Sequence, residues 1–146
     1  MLRAGIFAAL LLVSGCRGPD PGQQYGLFFP RHGIGSVGPV ALLEGRLAVE
    51  GQCIWIVRPD GSRVLPIWPA GFGLTVTERG TAVLDKSGQE LARAGEQVRL
   101  VGGETVTDQY AFELMGQEPP PLCRARDYWA TSELKRSIPS APTASP

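Results

Sequence analysis

The chain has 146 residues, and its formal net charge is zero because 14 basic side chains balance 14 acidic ones. This balance argues against a nucleic-acid partner, which is usually met by a strongly basic surface. The length is sufficient for one well-packed domain and too short for two comfortable ones.

Residues 1–15 have the layout of a secretory signal peptide. Arg3 is the only charged residue among them, an uncharged stretch follows from Ala4 to Val13, and the small pair Ser14 and Gly15 ends the segment. The uncharged stretch before Cys16 would make about 18 Å of helix, whereas the hydrocarbon core of a bilayer is about 30 Å thick. The pattern therefore predicts an export signal and not a membrane-spanning helix.

The segment ends in Val13, Ser14 and Gly15, and Cys16 follows them. An aliphatic residue and two small residues before a cysteine resemble the lipobox of bacterial lipoproteins. The resemblance implies that a diacylglyceryl group joins the Cys16 thiol, that a peptidase cuts after Gly15, and that a further acyl chain such as palmitate joins the new amine. Two or more acyl chains are sufficient for stable membrane anchoring.

The same resemblance implies a location. We expect an exported protein that is lipid-anchored to a bacterial membrane in the cell envelope. Arg17 stands after the lipidated cysteine, where Asp usually retains such proteins at the inner membrane. In a host with two membranes, this favours the outer membrane.

Two segments of biased composition flank the rest of the mature chain. Residues 16–41 are dense in Gly and Pro, which predicts a flexible tether, although Leu27, Phe28 and Phe29 are apolar enough to dock on the domain or on the bilayer surface. Residues 135–146 consist mostly of Ser, Ala, Pro and Thr, which predicts a disordered tail.

Residues 42–134 are predicted to form an all-β domain, a small barrel or sandwich of about six to seven short strands with at most one short helix. Apolar and β-branched runs alternate with Gly-containing turns every eight to twelve residues. The helix would cover Asp108–Met115, and hairpin turns are indicated at Pro59–Ser62 and Asp85–Gly88. The strands are predicted near Leu43–Val49, Cys53–Arg58, Arg63–Trp68, Thr81–Leu84, Glu90–Arg93, Gln97–Val101 and Tyr128–Thr131.

Three cysteines are present, and lipidation of Cys16 would leave Cys53 and Cys123 as an even pair. Exported proteins meet oxidising conditions, so these two residues are predicted to form a disulfide. The alternative is a pair of buried free thiols.

Five aromatic residues lie within or beside the predicted strands: Trp55, Trp68, Phe72, Tyr128 and Trp129. If exposed, they would form a candidate binding surface for a glycan or a protein, because aromatic side chains stack on sugar rings and anchor interfaces. The alternative is that they fill a small hydrophobic core.

No catalytic, metal or cofactor motif withstands inspection of its context. His32 is the only histidine and has no ligand partner at helical spacing, and it lies in the predicted tether. Gly33, Gly35 and Gly38 have dinucleotide-binding spacing, but Pro39 follows them where a helix would have to begin. We therefore expect neither an enzyme, nor a metal site, nor a cofactor.

The region from Gly45 to Glu104 contains a pattern formed by Gly45, Leu47, Val49, Cys53, Ile54, Leu65–Pro69, Phe72, Val83–Asp85, Gly95, Val98, Leu100, Gly102, Gly103 and Glu104. This pattern resembles a group of small, uncharacterised secreted bacterial domains. The resemblance implies a folded domain without implying an activity.

Two hypotheses for the function follow. The first is a lipid-anchored envelope protein whose β domain binds or scaffolds an envelope protein or glycan. The second is an envelope carbohydrate hydrolase that uses carboxylates assembled by the fold.

Overall fold

The computed structural model describes residues 20–33, 40–105 and 107–137. This part of the chain contains nine strands, one α-helix and two 3-10 turns. The helix α1 spans Asp108–Met115, and the 3-10 turns span Gln23–Tyr25 and Pro121–Cys123. The strands are β1 Arg31–His32, β2 Ala41–Glu50, β3 Cys53–Val57, β4 Arg63–Pro69, β5 Gly73–Thr77, β6 Gly80–Leu84, β7 Glu90–Arg93, β8 Gln97–Glu104 and β9 Asp127–Arg136.

Five of these strands close into a barrel in the order β2, β3, β4, β9, β8 and back to β2. All neighbouring strands are antiparallel except β4 and β9, which run parallel. A five-stranded barrel with this order and one parallel pair has the Greek-key topology of the OB fold. The prediction of a small all-β domain with at most one short helix is confirmed, and of the two predicted forms the structure has the barrel and not the sandwich.

Two glycines allow the barrel to close. β2 pairs with β8 through its first half and with β3 through its second half, so it must bend near Gly45. A Cβ atom at Gly45 would lie 2.6 Å from the Val57 carbonyl oxygen, and one at Gly102 would collide with the Ala130 carbonyl oxygen. Only glycine permits these close approaches of one backbone to the next.

A second sheet, in the order β5, β6, β7, is inserted between β4 and β8. Its apolar side chains Leu74, Val83 and Ala92 join the same core as the barrel interior. Arg136 on β9 forms an ion pair of 2.7 Å with Glu90 of β7, which links this sheet to the barrel, and one of 2.9 Å with Glu96 in the turn after β7.

The outer face of the barrel is also buried. α1 and the 3-10 turn Pro121–Cys123 cover β3, β4 and β9, and a second apolar cluster fills the space between them. α1 begins after Thr107, whose hydroxyl accepts a hydrogen bond of 3.1 Å from the Tyr110 amide, and it ends at the left-handed Gly116. β3 is therefore covered on both faces, as its unbroken apolar run indicates.

The prediction of a flexible tether over residues 16–41 is wrong for residues 20–33, which pack on the barrel. Phe28 donates its amide to the Gln52 carbonyl at 2.7 Å, and Trp68 donates its amide to the Pro30 carbonyl at 2.8 Å. Phe28 and Phe29 are buried. Backbone hydrogen bonds to the barrel and two buried rings offset the ordering entropy that the Gly and Pro content implied.

The predicted strands are all present, but several are longer and two were not predicted. The final strand reaches Arg136, so the first residues of the predicted tail, Lys135 and Arg136, belong to β9. β1 has only two residues and exists through its pairing with β4. β5 was not predicted, although its β-branched residues Thr75, Val76 and Thr77 favour a strand.

Candidate functional site

The five aromatic residues proposed as a binding surface do not form one. Trp68 and Trp129 belong to the inner core, while Trp55 and Tyr128 lie in the outer cluster beneath α1. None of these four is more than 5% exposed, and Phe72 is half-buried against the inner core. The prediction of an exposed aromatic surface is therefore wrong, and the alternative of core filling is correct.

Both faces of the barrel require these rings. The interior needs large side chains, and the outer face of β3, β4 and β9 needs others to pack against α1. Tyr128 is an example of this packing on the outer face, because Phe112 of α1 lies edge-on against it with ring centres 5.8 Å apart. Burial raises the pKa of Tyr128, and its hydroxyl accepts a hydrogen bond of 3.2 Å from the Ala125 amide.

The sulfur atoms of Cys53 and Cys123 lie 2.03 Å apart, which is a disulfide distance. Both residues are buried, and the bridge joins β3 to the segment between α1 and β9. The lipidation and cleavage residues Val13, Ser14, Gly15 and Cys16 lie outside the described residues, as do Gly35 and Gly38.

The side chains of Asp60 and Asp85 accept hydrogen bonds within the hairpin turns in which they lie. Asp60 accepts a hydrogen bond of 2.8 Å from the Ser62 amide, and Asp85 accepts one of 2.6 Å from the Ser87 hydroxyl and one of 2.9 Å from the Gln89 amide. Hydrogen bonds from Ser62 lower the pKa of Asp60, and those from Ser87 and Gln89 lower the pKa of Asp85. A general acid in glycoside hydrolysis needs the opposite shift.

We expect the Asp85 carboxyl group to titrate below the usual range for aspartate, and the Ser87→Ala variant to move its pKa upward. A lowered folded-state pKa means that the charged form supports the turn above the unfolded-state pKa of about 4, and that this support is lost as pH falls through the folded-state value. Carbon-detected NMR titration of the carboxyl group measures both values. A titration midpoint at or above the usual range, or one that Ser87→Ala leaves in place, would contradict the capping role.

His32, which was predicted to lie in the flexible tether, is buried in the structure. It is 3% exposed, and its Nε2 lies 2.7 Å from the Thr131 carbonyl oxygen of β9. A carbonyl oxygen only accepts, so Nε2 must carry the proton and donate it. Nδ1 is also buried, and it has no hydrogen-bond partner within residues 20–33, 40–105 and 107–137.

His32 lines an open cleft of about 450 Å³ between β1 and the end of α1. This volume falls within the range of small-molecule sites in proteins. The polar lining residues are Asp20, Arg31, His32 and Gln117, and the others described are Phe29, Gly33, Ala70, Leu114, Met115 and Gly116.

Charged groups of both signs meet at this cleft. Arg31 is half-buried, and no ion pair or side-chain hydrogen bond joins it to another described residue. Asp20 accepts a hydrogen bond of 2.9 Å from the Gly22 amide through Oδ1. The cleft therefore offers a cation, a carboxylate and an imidazole beside an apolar wall.

Sequence reasoning missed this cleft because it assigned all the residues from Asp20 to Gly33 to a tether. The docking of Leu27, Phe28 and Phe29 was considered from their apolar character, but it was not extended to the residues beside them. A segment that docks two rings also places the residues that follow them, here Arg31 and His32, on the barrel.

OB-type barrels commonly bind ligands on the face of their second and third strands, which here are β3 and β4. In this protein α1 and the disulfide-linked segment cover that face. In the part of the chain that the structure describes, no group of three or more His, Cys, Asp or Glu is arranged to hold a metal ion. Within the same residues, no helix has the length and apolar character needed to cross a membrane.

Comparison with known proteins gives no relative: no protein-family model, no curated protein and no solved structure matches the chain.

Proposed function

We propose that the protein is a lipid-anchored cell-envelope protein whose β-barrel is a binding module held close to the membrane surface. Its anchor is Cys16, within the lipobox-like run Val13, Ser14, Gly15 and Cys16. The disulfide between Cys53 and Cys123 suits the oxidising conditions outside the cytoplasm.

The observation that carries this proposal is the short distance along the chain between the anchor and the packed domain. Only residues 17–19 separate Cys16 from Asp20, whose carbonyl accepts a hydrogen bond of 3.0 Å from the Gln23 amide. An extended chain advances about 3.6 Å per residue, so the two Cα atoms can lie at most about 14 Å apart.

This geometry changes the mechanism of tethering. A flexible segment from Cys16 to Ala41 could have reached roughly 90 Å from the lipid, whereas the short link holds the barrel within about one domain diameter of it. A short link gives a high local concentration toward membrane-bound partners and a small search volume. The partner we propose is therefore an envelope protein or glycan at the membrane surface.

The rival proposal, an envelope carbohydrate hydrolase, requires a carboxylic acid kept protonated near neutral pH. Asp60 and Asp85 offer no support for it, since their pKa values are lowered by hydrogen bonds within exposed turns. The binding role is favoured because the cleft at His32 provides mixed polar and apolar groups without a pair of facing acids among its described lining residues.

Intact mass spectrometry of protein extracted from its native membrane tests the anchor. We expect a mature chain that begins at Cys16 and carries acyl mass, and a Cys16→Ala variant that carries none and leaves the membrane fraction. A Cys53→Ala/Cys123→Ala double variant is the matched control, because it also loses cysteines but should keep the acyl mass. An unacylated wild-type chain, or one that retains residues 1–15, would refute the proposal.

A further inference from the structure

We propose that the cleft between β1 and the end of α1 binds a small ligand that carries a carboxylate with a hydroxyl or amino group beside it. The inference deepens the proposed binding role and rests on it. It specifies which functional groups of a ligand Arg31, His32 and Asp20 would bind in the cleft of about 450 Å³.

Arg31 provides the site for the ligand carboxylate. Its guanidinium group is not engaged by a described acidic residue, and Asp20, which lines the same cleft, forms no ion pair with it. A guanidinium presents two parallel N–H groups that match the two oxygen atoms of a carboxylate. A bound carboxylate would therefore give Arg31 the partner that the described residues do not supply.

His32 provides the site for the neighbouring donor group. Nε2 donates to the Thr131 carbonyl oxygen on β9, so in the uncharged ring Nδ1 is an acceptor. Nδ1 lacks a described partner, and buried polar atoms normally have one. A ligand hydroxyl or ammonium group would donate to it.

Entry to Nδ1 requires a small rearrangement, because the atom is closed to water in this conformation. Arg31 and Gln117, which line the cleft with His32, are long side chains, and Gln117 is exposed. Contact between a ligand and Nδ1 therefore requires a side chain at the cleft to change rotamer, which needs no movement of the backbone.

The remaining lining residues limit the ligand to a small amphipathic molecule. Ala70, Leu114 and Met115 offer an apolar wall for carbon atoms, and Asp20 can accept from an ammonium or a second hydroxyl group. Acidic sugars and free amino acids both have this chemistry. The two sources differ in the donor beside the carboxylate, so they are separable by experiment.

Three probes test the inference on the mature protein, isotopically labelled and held in detergent micelles. We expect glucuronate or alanine, but not glucose, to shift the amide NMR signals of Gly33, Gly116 and Gln117 in a saturable way. Preference for glucuronate identifies an acidic sugar, and preference for alanine identifies an amino acid. Absence of saturable shifts with both carboxylates, or equal binding of glucose, would overturn the proposal.

Variants locate the binding. Arg31→Gln removes the cation, His32→Gln keeps a donor for the Thr131 carbonyl but lacks the Nδ1 acceptor, and Ala70→Trp fills the cleft from an exposed turn. Each should raise the dissociation constant at least about ten-fold, as expected for loss of a charge-assisted hydrogen bond or of the space for the ligand.

Val76→Trp is the matched control for the added ring, because Val76 is exposed on β5 and does not line the cleft. It should leave the dissociation constant unchanged. Binding that survives in Ala70→Trp, or that Val76→Trp weakens equally, would place the ligand elsewhere and refute the site. The titration does not depend on acylation of Cys16, so its failure is distinguishable from failure of the lipid anchor.

Discussion

Replacing Phe29 by Ala should lower the free energy of unfolding by about 3–5 kcal/mol, the usual cost of removing a buried aromatic ring. Phe29 is fully buried, and its ring stacks on that of Trp68 with centroids 5.2 Å apart and planes 14° apart. The loss is large for a residue in a segment whose composition predicts a tether. Urea unfolding followed by tryptophan fluorescence measures it.

Tyr25→Ala is the matched control for Phe29→Ala. Tyr25 lies on the same segment but is 38% exposed, so its replacement should change stability by no more than about 0.5 kcal/mol. Phe29→Leu keeps most of the apolar volume, so it provides a folded reference if Phe29→Ala unfolds. Equal, small effects of Phe29→Ala and Tyr25→Ala would mean that residues 20–33 are not part of the cooperative domain.

Local signals were sufficient where local interactions decide the structure. Asp60 and Asp85 mark hairpin turns because their side chains bond backbone amides two to four residues further along the chain. The helix Asp108–Met115 was predicted with its observed bounds, and Thr107 and Gly116 cap its two ends.

Tertiary pairings decide the features that sequence reasoning missed. β1 exists because Arg31 and His32 lie beside Trp68 and Pro69, and no local pattern encodes a two-residue strand. The parallel pairing of β4 with β9 joins residues about 60 positions apart, so neither strand alone indicates it.

Tertiary packing also decides whether the aromatic residues are exposed. Trp55 and Trp68 lie in strands whose two faces are both covered, by the barrel core on one side and by α1 with its following segment on the other. A strand sequence shows alternation only when one face meets water. The candidate site was hidden for the related reason that a Gly-rich and Pro-rich segment gains its order from contacts outside itself.

Loss of the Cys53–Cys123 bridge should destabilise the protein by about 4 kcal/mol in the loop-entropy description, because the bridge closes a loop of 70 residues. For a domain of this size, the expected fall in Tm is roughly 10–20 °C. Calorimetry of the Cys53→Ala/Cys123→Ala double variant, and of wild type with and without reductant, measures the effect. Cys16→Ala is the control that removes a cysteine while keeping the bridge.

The bridge should also have a local effect, because it holds the segment after α1 against β3. Ala111 of α1 and Cys123 share the outer cluster, whereas Val98 and Leu100 of β8 belong to the inner core. After loss of the bridge, we expect amide exchange in α1 to accelerate more than exchange in β8, since the outer layer can open while the barrel stays closed. Equal acceleration in both would mean that the bridge acts only through the unfolded chain. An unchanged Tm on reduction would mean that the two thiols do not constrain the fold at all.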